Sequence, residues 1–309
     1  MKEIKYYTVE GKKKSIFRVF AIYYICMALF CGVRIFAQLN SELLTEKNGE
    51  IIYTLIIQCG LLFILPFLLY CLMIRVKPKT LFEHCNFKKL NFTVVLISIV
   101  LGVLCYIITI AVDSLFSGMI AFTGYRSASG GGEADWSTGN FFLQLFLTAL
   151  LPGICEEFMH RGILLQGIKH IGFKKAILIS STLFALLHFN IQQVSFAFVV
   201  GLILGFVSVV AKNIYPAIII HFVHNAISTY LSFAYNRGWF LGDALKDFNL
   251  WLQETKPAIV FATVSIVLIL VVVLLCLFIW FLYKQTIIRS VNKAINRAYN
   301  NFSVMTKYA

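Results

Sequence analysis

Hydrophobic residues gather in eight runs separated by short polar segments. The runs cover approximately residues 16–37, 51–74, 92–116, 141–157, 176–189, 193–211, 216–234 and 258–283. A helix needs about 20 mainly apolar residues to cross a bilayer, and shorter helices survive inside a bundle. The sequence therefore predicts an all-α fold, a polytopic membrane bundle of about eight transmembrane helices.

The basic residues are concentrated in alternate connecting segments. They are frequent before residue 19, within 75–91 and 158–175, and after residue 283, whereas segments 38–50 and 117–140 hold one each. Because lysine and arginine are enriched in the cytoplasmic loops of membrane proteins, this alternation predicts that both termini are cytoplasmic.

Composition favours one integral membrane domain over residues 1–309. Hydrophobic residues make up 60% of the chain and charged residues 13%, a balance far from that of soluble domains. The net charge of +13 is spread over the predicted cytoplasmic margins, where it attracts anionic lipid, and residues 284–309 form a basic cytoplasmic tail. No basic run is interleaved with aromatic residues, so membrane lipid is an expected partner and nucleic acid is not.

The fourth run ends in charges that are expensive at membrane depth, namely Glu156, Glu157 and Arg161. On a helix, Glu157 and Arg161 lie four residues apart on one face and are expected to form an ion pair. Glu156 lies about 100° around the axis and is left to point elsewhere. The competing interpretation is that all three residues are interfacial anchors at a helix end.

Two later runs add polar residues that suit the hydrolysis of an amide. His188 ends the fifth run, and the seventh run carries His221 and Asn225 four residues apart, hence on one helical face. Packed beside Glu156, these groups would supply a base, an imidazole that positions water and two donors for a developing oxyanion. The combination is the basis of a catalytic hypothesis.

Three short motifs lie in order on these successive runs: Glu156-Glu157-x-x-x-Arg161, Phe184-x-x-x-His188 and His221-x-x-x-Asn225. Together they resemble the signature of the CAAX protease and bacteriocin-processing family of intramembrane endopeptidases, also called the Abi family. The motif-bearing core covers about residues 141–232. The resemblance implies a helical membrane peptidase whose eukaryotic members trim prenylated CAAX proteins. Its bacterial members are linked to bacteriocin immunity, peptide maturation and pheromone signalling.

The resemblance also implies a role for each motif residue. Glu156 would activate water, His188 would be the partner of Glu156 on that water, and His221 with Asn225 would stabilise the oxyanion. Two further side chains, Glu157 and Arg161, would hold the first motif in shape. Because the motifs resemble the bacterial branch, a bacterial cell membrane is the expected location.

Zinc remains an open possibility at the sequence level. A catalytic zinc site usually has three protein ligands and an open position, and Glu156, His188 and His221 can be read as such a set. The chain has no His-Glu-x-x-His motif. The family has been described both as metallopeptidases and as metal-independent glutamate enzymes, so the sequence does not decide.

Two function classes follow. The first is an endopeptidase that admits a peptide or a lipid-modified protein between its helices, to a cavity expected on the cytoplasmic side. The alternative is a non-catalytic binding or regulatory protein, such as a bacteriocin immunity protein or a signalling partner. The natural substrate and the oligomeric state are not encoded in any motif.

Overall fold

The computed structural model of this 309-residue chain describes residues 9–42, 47–121, 123 and 135–305. These residues form ten helices and no strand. The helices are α1 (Val9–Leu39), α2 (47–74), α3 (Pro78–His84), α4 (Phe92–Ala121), α5 (Thr138–Ile171), α6 (Phe173–Leu186), α7 (Ile191–Ala211), α8 (Tyr215–Arg237), α9 (Gly242–Glu254) and α10 (Pro257–Met305). The predicted polytopic helical bundle is confirmed.

Within the described residues, seven helices are long and apolar enough to cross a membrane: α1, α2, α4, α5, α7, α8 and α10. The remaining predicted span, the fifth run at 176–189, falls on α6, which has only 14 residues. At 1.5 Å per residue this helix is about 21 Å long, short of the roughly 30 Å hydrocarbon core. The eight predicted spans are therefore seven full-length helices and one shorter helix, whose end carries His188.

Helix α5 is much longer than the predicted span of 141–157, because it continues to Ile171. The continuation is possible because residues 157–168 are all buried, Arg161 among them. Glu156 and Glu157 thus lie in the middle of a helix. The interpretation of these charges as interfacial anchors at a helix end is wrong.

Three stretches of α2 and α5 are wound as π-helix: Ile56–Ile64, Leu145–Leu150 and Phe158–Leu164. The first two end two residues before a proline, at Pro66 and Pro152. Proline lacks an N–H and crowds the preceding turn, so a wider turn relieves the conflict without ending the helix. Such segments are frequent at functional sites.

Hydrogen bonds between loops show which helix ends lie together. Lys88 Nζ donates to the carbonyl oxygen of Lys212 at 2.7 Å, and Asn213 Nδ2 donates to the carbonyl oxygen of Lys88 at 2.9 Å. Segment 75–91, which is rich in lysine, and segment 212–214, which begins with Lys212, therefore share one side of the bundle, here called the basic face. The starts of α2 and α5 lie on the other side, the opposite face, where Gln144 Nε2 donates to Glu50 Oε1 at 3.1 Å.

Two hydrophobic clusters make up the interior. One is built mainly from α1, α2 and the second half of α5, and the other from α4, α7, α8 and α10. Helix α6 contributes to both clusters, through Ile177 and Phe184 respectively. The motif residues of α5 and α6 consequently lie where the two clusters meet.

Helix α10 continues without a break through 284–305, so the predicted tail is part of this helix as far as residue 305, and residues 306–309 lie outside the described part.

Close packing of α4 on α8 predicts a stability difference between two glycines of α4. A Cβ on Gly102 would lie 2.7 Å from Val223 Cβ, whereas a Cβ on Gly118 would meet nothing within 4 Å. We expect Gly102→Ala to destabilise the protein by about 1–3 kcal/mol through overpacking, and Gly118→Ala to be neutral. Thermal unfolding of both variants in detergent tests this expectation. Equal melting temperatures would show that α8 is not held against α4 as described.

Candidate active site

A fully buried ion pair lies at the centre of the motif region. Arg161 Nη1 donates to Glu157 Oε1 at 2.6 Å, and both side chains have 0% exposure. Arg161 Nη2 also donates to the carbonyl oxygen of Gly201 on α7, at 3.1 Å. The predicted pairing of Glu157 with Arg161 is confirmed, and the pair joins α5 to α7.

Phe184 of α6 is surrounded by the charged and imidazole groups of the motifs. The Arg161 guanidinium lies over its face, 4.4 Å from the ring centroid. The rings of His160, His188 and His221 approach it edge-on, with centroid distances of 5.2, 5.3 and 5.7 Å. The aromatic face stabilises the buried cation, and the ring fixes the spacing of the imidazoles.

Glu156 has different surroundings from its neighbour Glu157. It is partly buried and lines a cavity of about 170 Å³ between α1, α2, the middle of α5, the residues that follow α6 and the start of α7. Its Oε1 accepts a hydrogen bond from Gln58 Nε2 of α2, at 2.9 Å. The two adjacent carboxylates are thus separated as predicted: Glu157 is held in the ion pair and Glu156 faces open space.

His188 lines the same cavity as Glu156. Its Nδ1 lies 3.2 Å from the carbonyl oxygen of Phe184. A carbonyl oxygen only accepts, so Nδ1 carries the proton of this hydrogen bond and Nε2 of the neutral ring is an acceptor. The structure therefore brings Glu156 and His188 to one cavity from two different helices.

His221 and Asn225 share one face of α8, as predicted, and both contact α5. His221 Nδ1 lies 3.0 Å from Glu157 Oε1, and Asn225 Nδ2 donates to the carbonyl oxygen of Thr148 at 3.0 Å. The Asn225 Oδ1 atom is 2.9 Å from His224 Nδ1. Neither His221 nor Asn225 is among the residues that line the cavity. His221 is therefore tied to Glu157 and Asn225 to the backbone of α5, outside the lining of the cavity.

The candidate zinc ligands are not brought together as a set. Over the described ranges, no three His, Cys, Asp or Glu side chains form a group that could hold a metal ion. Glu156 and His188 share the cavity, but Nδ1 of His221 is directed at Glu157. The arrangement does not fit a three-ligand zinc site, and no step of the mechanism below uses one.

The cavity extends from Glu156 towards the opposite face. On α1 and α2 its buried lining residues, such as Phe30 and Gln58, lie deeper along the helix than the half-buried Arg34, Tyr53 and Thr54. Those three side chains are the ones nearer the opposite face. On the basic-face side of Glu156, residues 157–168 are all buried. The expectation of a cavity on the cytoplasmic side disagrees with this geometry if the basic face is cytoplasmic, as its charge predicts.

Two polar residues of the cavity were missed by sequence reasoning. Gln58 lies inside an apolar run and Arg34 near the end of one, and neither belongs to a motif. Arg34 Nη2 donates to the carbonyl oxygen of His188 at 3.2 Å, so α1 supports the end of α6. The only available signal was that a glutamine in a membrane span usually has a polar partner.

The buried ion pair predicts that removing one charge lowers the free energy of unfolding far more than removing both. Arg161→Met leaves Glu157 buried without its cation and should destabilise the protein by about 3–5 kcal/mol, while the double variant Glu157→Gln, Arg161→Met should recover part of that loss. Thermal unfolding of the purified variants measures both. The control is Lys246→Met, which breaks the exposed Lys246–Asp243 pair, 3.0 Å long, and should lower the free energy of unfolding by at most about 1 kcal/mol. A similar loss in Arg161→Met and in the control would contradict the buried pair.

Comparison with known protein families matches residues 138–227 to the family described as Type II CAAX prenyl endopeptidase Rce1-like. This segment contains all three motifs. No curated protein and no solved structure gave a significant match to the chain. The resemblance indicated by the motifs is thereby confirmed over that segment. The chain is a polytopic helical membrane protein whose residues 138–227 match the Rce1-like, type II CAAX prenyl endopeptidase family.

Proposed function

We propose that this protein is an intramembrane endopeptidase that hydrolyses a peptide bond of a peptide or lipid-modified protein, with Glu156 as the general base. The observation that carries the proposal is the separation of the two carboxylates. Glu157 is neutralised by Arg161 in a dry interior, whereas Glu156 lines a cavity together with His188. A carboxylate that faces a polar cavity in a membrane span is expected to have a function.

In the proposed reaction, Glu156 takes a proton from a water molecule in the cavity. The water oxygen attacks the scissile carbonyl carbon, the C–N bond then breaks, and the proton passes from Glu156 to the leaving amine. His188 presents its Nε2 acceptor to the same water, because its Nδ1 is occupied by the Phe184 carbonyl. Two acceptors from different helices would thus orient the water before attack.

His221 and Asn225 are assigned to the charge that develops on the carbonyl oxygen. For His221 to donate from Nε2 while Nδ1 faces Glu157, both nitrogens must carry a proton. The Glu157 carboxylate, 3.0 Å away, would stabilise that imidazolium as the buried aspartate does in a Ser-His-Asp triad. Asn225 has one N–H left over after its bond to Thr148, and a small shift of α8 would be needed to present it.

One observation favours the non-catalytic alternative. The hydrogen bonds of His221 and Asn225 are made within the protein, and neither side chain lines the cavity that holds Glu156. A binding or regulatory protein would keep Glu156 and His188 in the cavity without needing an oxyanion site. Loss of turnover on substitution of Glu156 separates the two functions.

Cleavage should depend on Glu156. With purified protein in liposomes and a panel of prenylated CAAX and leader-bearing peptides, we expect Glu156→Gln to lower kcat by about 100-fold or more, because the base is lost while the shape is kept. The matched control is Glu50→Gln, which alters another glutamate that accepts from a glutamine, at the opposite face. His221→Ala should also lower kcat, and a chelator arm measures the metal requirement. Equal cleavage by the wild type and Glu156→Gln would refute the proposal.

The position of the cavity mouth indicates the side of the membrane from which a substrate would enter. Arg34, Tyr53 and Thr54 lie near the opposite face, and the buried stretch 157–168 closes the route from the basic face. With the orientation predicted from the basic segments, the substrate reaches Glu156 from the non-cytoplasmic side. The proposed substrate class is accordingly a peptide segment that is exposed on, or exported to, that side.

Thiol labelling of intact cells tests the direction of access. In a background with Cys59 and Cys276 replaced by alanine, we expect Thr54→Cys to react with a membrane-impermeant thiol reagent, because Thr54 is a half-buried residue of the cavity mouth. The control, Lys175→Cys, is exposed at the basic face and should react only after permeabilisation. The reverse pattern would show that the cavity opens to the cytoplasm.

A further inference from the structure

Gln58 donates a hydrogen bond to the Glu156 carboxylate, and it comes from outside the Rce1-like segment. It lies in the π-helical part of α2, is only 8% exposed, and donates from Nε2 to Glu156 Oε1 at 2.9 Å. An ionised carboxylate only accepts hydrogen bonds, which fixes the amide with its nitrogen towards Glu156. The Gln58 side chain thus ties α2 to the middle of α5.

The other end of the same amide has no partner among the described residues. Gln58 Oε1 is buried and accepts no hydrogen bond there. Leaving a buried acceptor unsatisfied costs about 1–3 kcal/mol, and a leucine or methionine at this place would avoid that cost. Stability alone therefore disfavours a glutamine here, and the contact that its amide makes is the one with Glu156.

The hydrogen bond from Gln58 distinguishes the two oxygens of the Glu156 carboxylate. Glu156 Oε1 accepts from Gln58, so Oε2 is the oxygen available as a base, and it makes no hydrogen bond to another residue of the described chain. A water molecule that donates one hydrogen to Glu156 Oε2 and the other to His188 Nε2 keeps its lone pairs free for attack on a carbonyl carbon. Gln58 would thus orient that water through the carboxylate that it holds.

We propose that Gln58 is a positioning residue of the hydrolytic site, which holds the Glu156 carboxylate through Nε2 and leaves Oε2 as the oxygen that takes the proton from water. The inference rests on the proposed function. It assigns one wall of the reaction site to α2, which the family match does not cover. Gln58 takes no proton itself: the proton of the water goes to Glu156 and then to the leaving amine.

The kinetic test uses Gln58→Met, which keeps the length of the side chain and removes both polar atoms. We expect kcat to fall by about 10- to 100-fold, as for a misplaced reacting group, while KM changes less than about twofold. The matched control is Gln144→Met, which removes the other glutamine-to-glutamate hydrogen bond between α2 and α5, at 3.1 Å. An unchanged kcat in Gln58→Met overturns the proposal. An equal fall in kcat in Gln58→Met and Gln144→Met assigns Gln58 a structural role and also overturns the proposal. A fall in kcat that comes with a melting temperature lowered only in Gln58→Met does the same.

A second measurement does not depend on knowing the substrate. The infrared carboxylate band of Glu156 is identified by its absence in Glu156→Gln, and it should shift in Gln58→Met and stay in place in Gln144→Met. An unshifted band in Gln58→Met shows that Gln58 does not hold Glu156, which overturns the inference alone. Failure of the wild type to cleave any peptide, with equal behaviour of Glu156→Gln, counts against the proposed function, and the infrared comparison still decides whether the Gln58 contact exists.

Discussion

The arrangement of the motif helices depends on one buried ion pair, Glu157 with Arg161. Taking two charges out of water costs several kcal/mol for each ion, and only close pairing and additional hydrogen bonds offset that cost. Arg161 has three partners here: the Glu157 carboxylate at 2.6 Å, the Gly201 carbonyl oxygen of α7 and the ring face of Phe184 of α6. Glu157 also contacts His221 of α8. Four helices are thereby held at fixed separations. Any displacement that lengthens one of these contacts exposes an uncompensated charge to an apolar interior, so the pair resists movement of the whole motif region.

The same pair explains how two adjacent carboxylates come to have different surroundings. One residue along a helix is a rotation of about 100°, enough to move a side chain from the interior of α5 to its cavity-facing side. Glu157 lies where α7 and α8 converge, while Glu156 lies where α2 and α6 leave a cavity. Had the ion pair been weaker, both carboxylates would compete for Arg161. Because Arg161 is paired with Glu157, the carboxylate of Glu156 has a neutral amide donor, Gln58, as its hydrogen-bond partner.

The predictions that succeeded rest on local helical geometry. The pairing of Glu157 with Arg161, and the shared face of His221 and Asn225, follow from spacing of four residues and needed no knowledge of packing. The failures concern tertiary context. Helix α5 was expected to end near Glu157 because charge normally ends a span, but the contacts of Arg161 with Gly201 and Phe184, which no local pattern contains, allow the helix to continue. Helix α6 had an apolar run of ordinary appearance, and its shortness depends on a turn at 187–190 in which Phe189 has φ of 50°. Gln58 was not predicted to be a site residue, because a single glutamine in an apolar run carries no periodic signal.

Hydrolysis within a membrane requires water and a polar substrate to reach a group that is surrounded by lipid and apolar side chains. In this protein the motif residues are carried by α5, α6 and α8, but much of the wall of the cavity comes from α1 and α2, through Phe30, Arg34, Tyr53 and Gln58. The part of the chain that matches the family therefore holds the proposed reacting groups, and the part that does not match shapes the approach to them. Arg34 illustrates the division: it supports the His188 backbone from one side and presents the only cation among the described residues of the cavity lining from the other. Under the proposed function, this cation would favour a substrate that carries negative charge, such as a terminal carboxylate, near the bond to be cut. Selectivity in such a protein would be expected to change with α1 and α2 while the chemistry of α5, α6 and α8 stays the same.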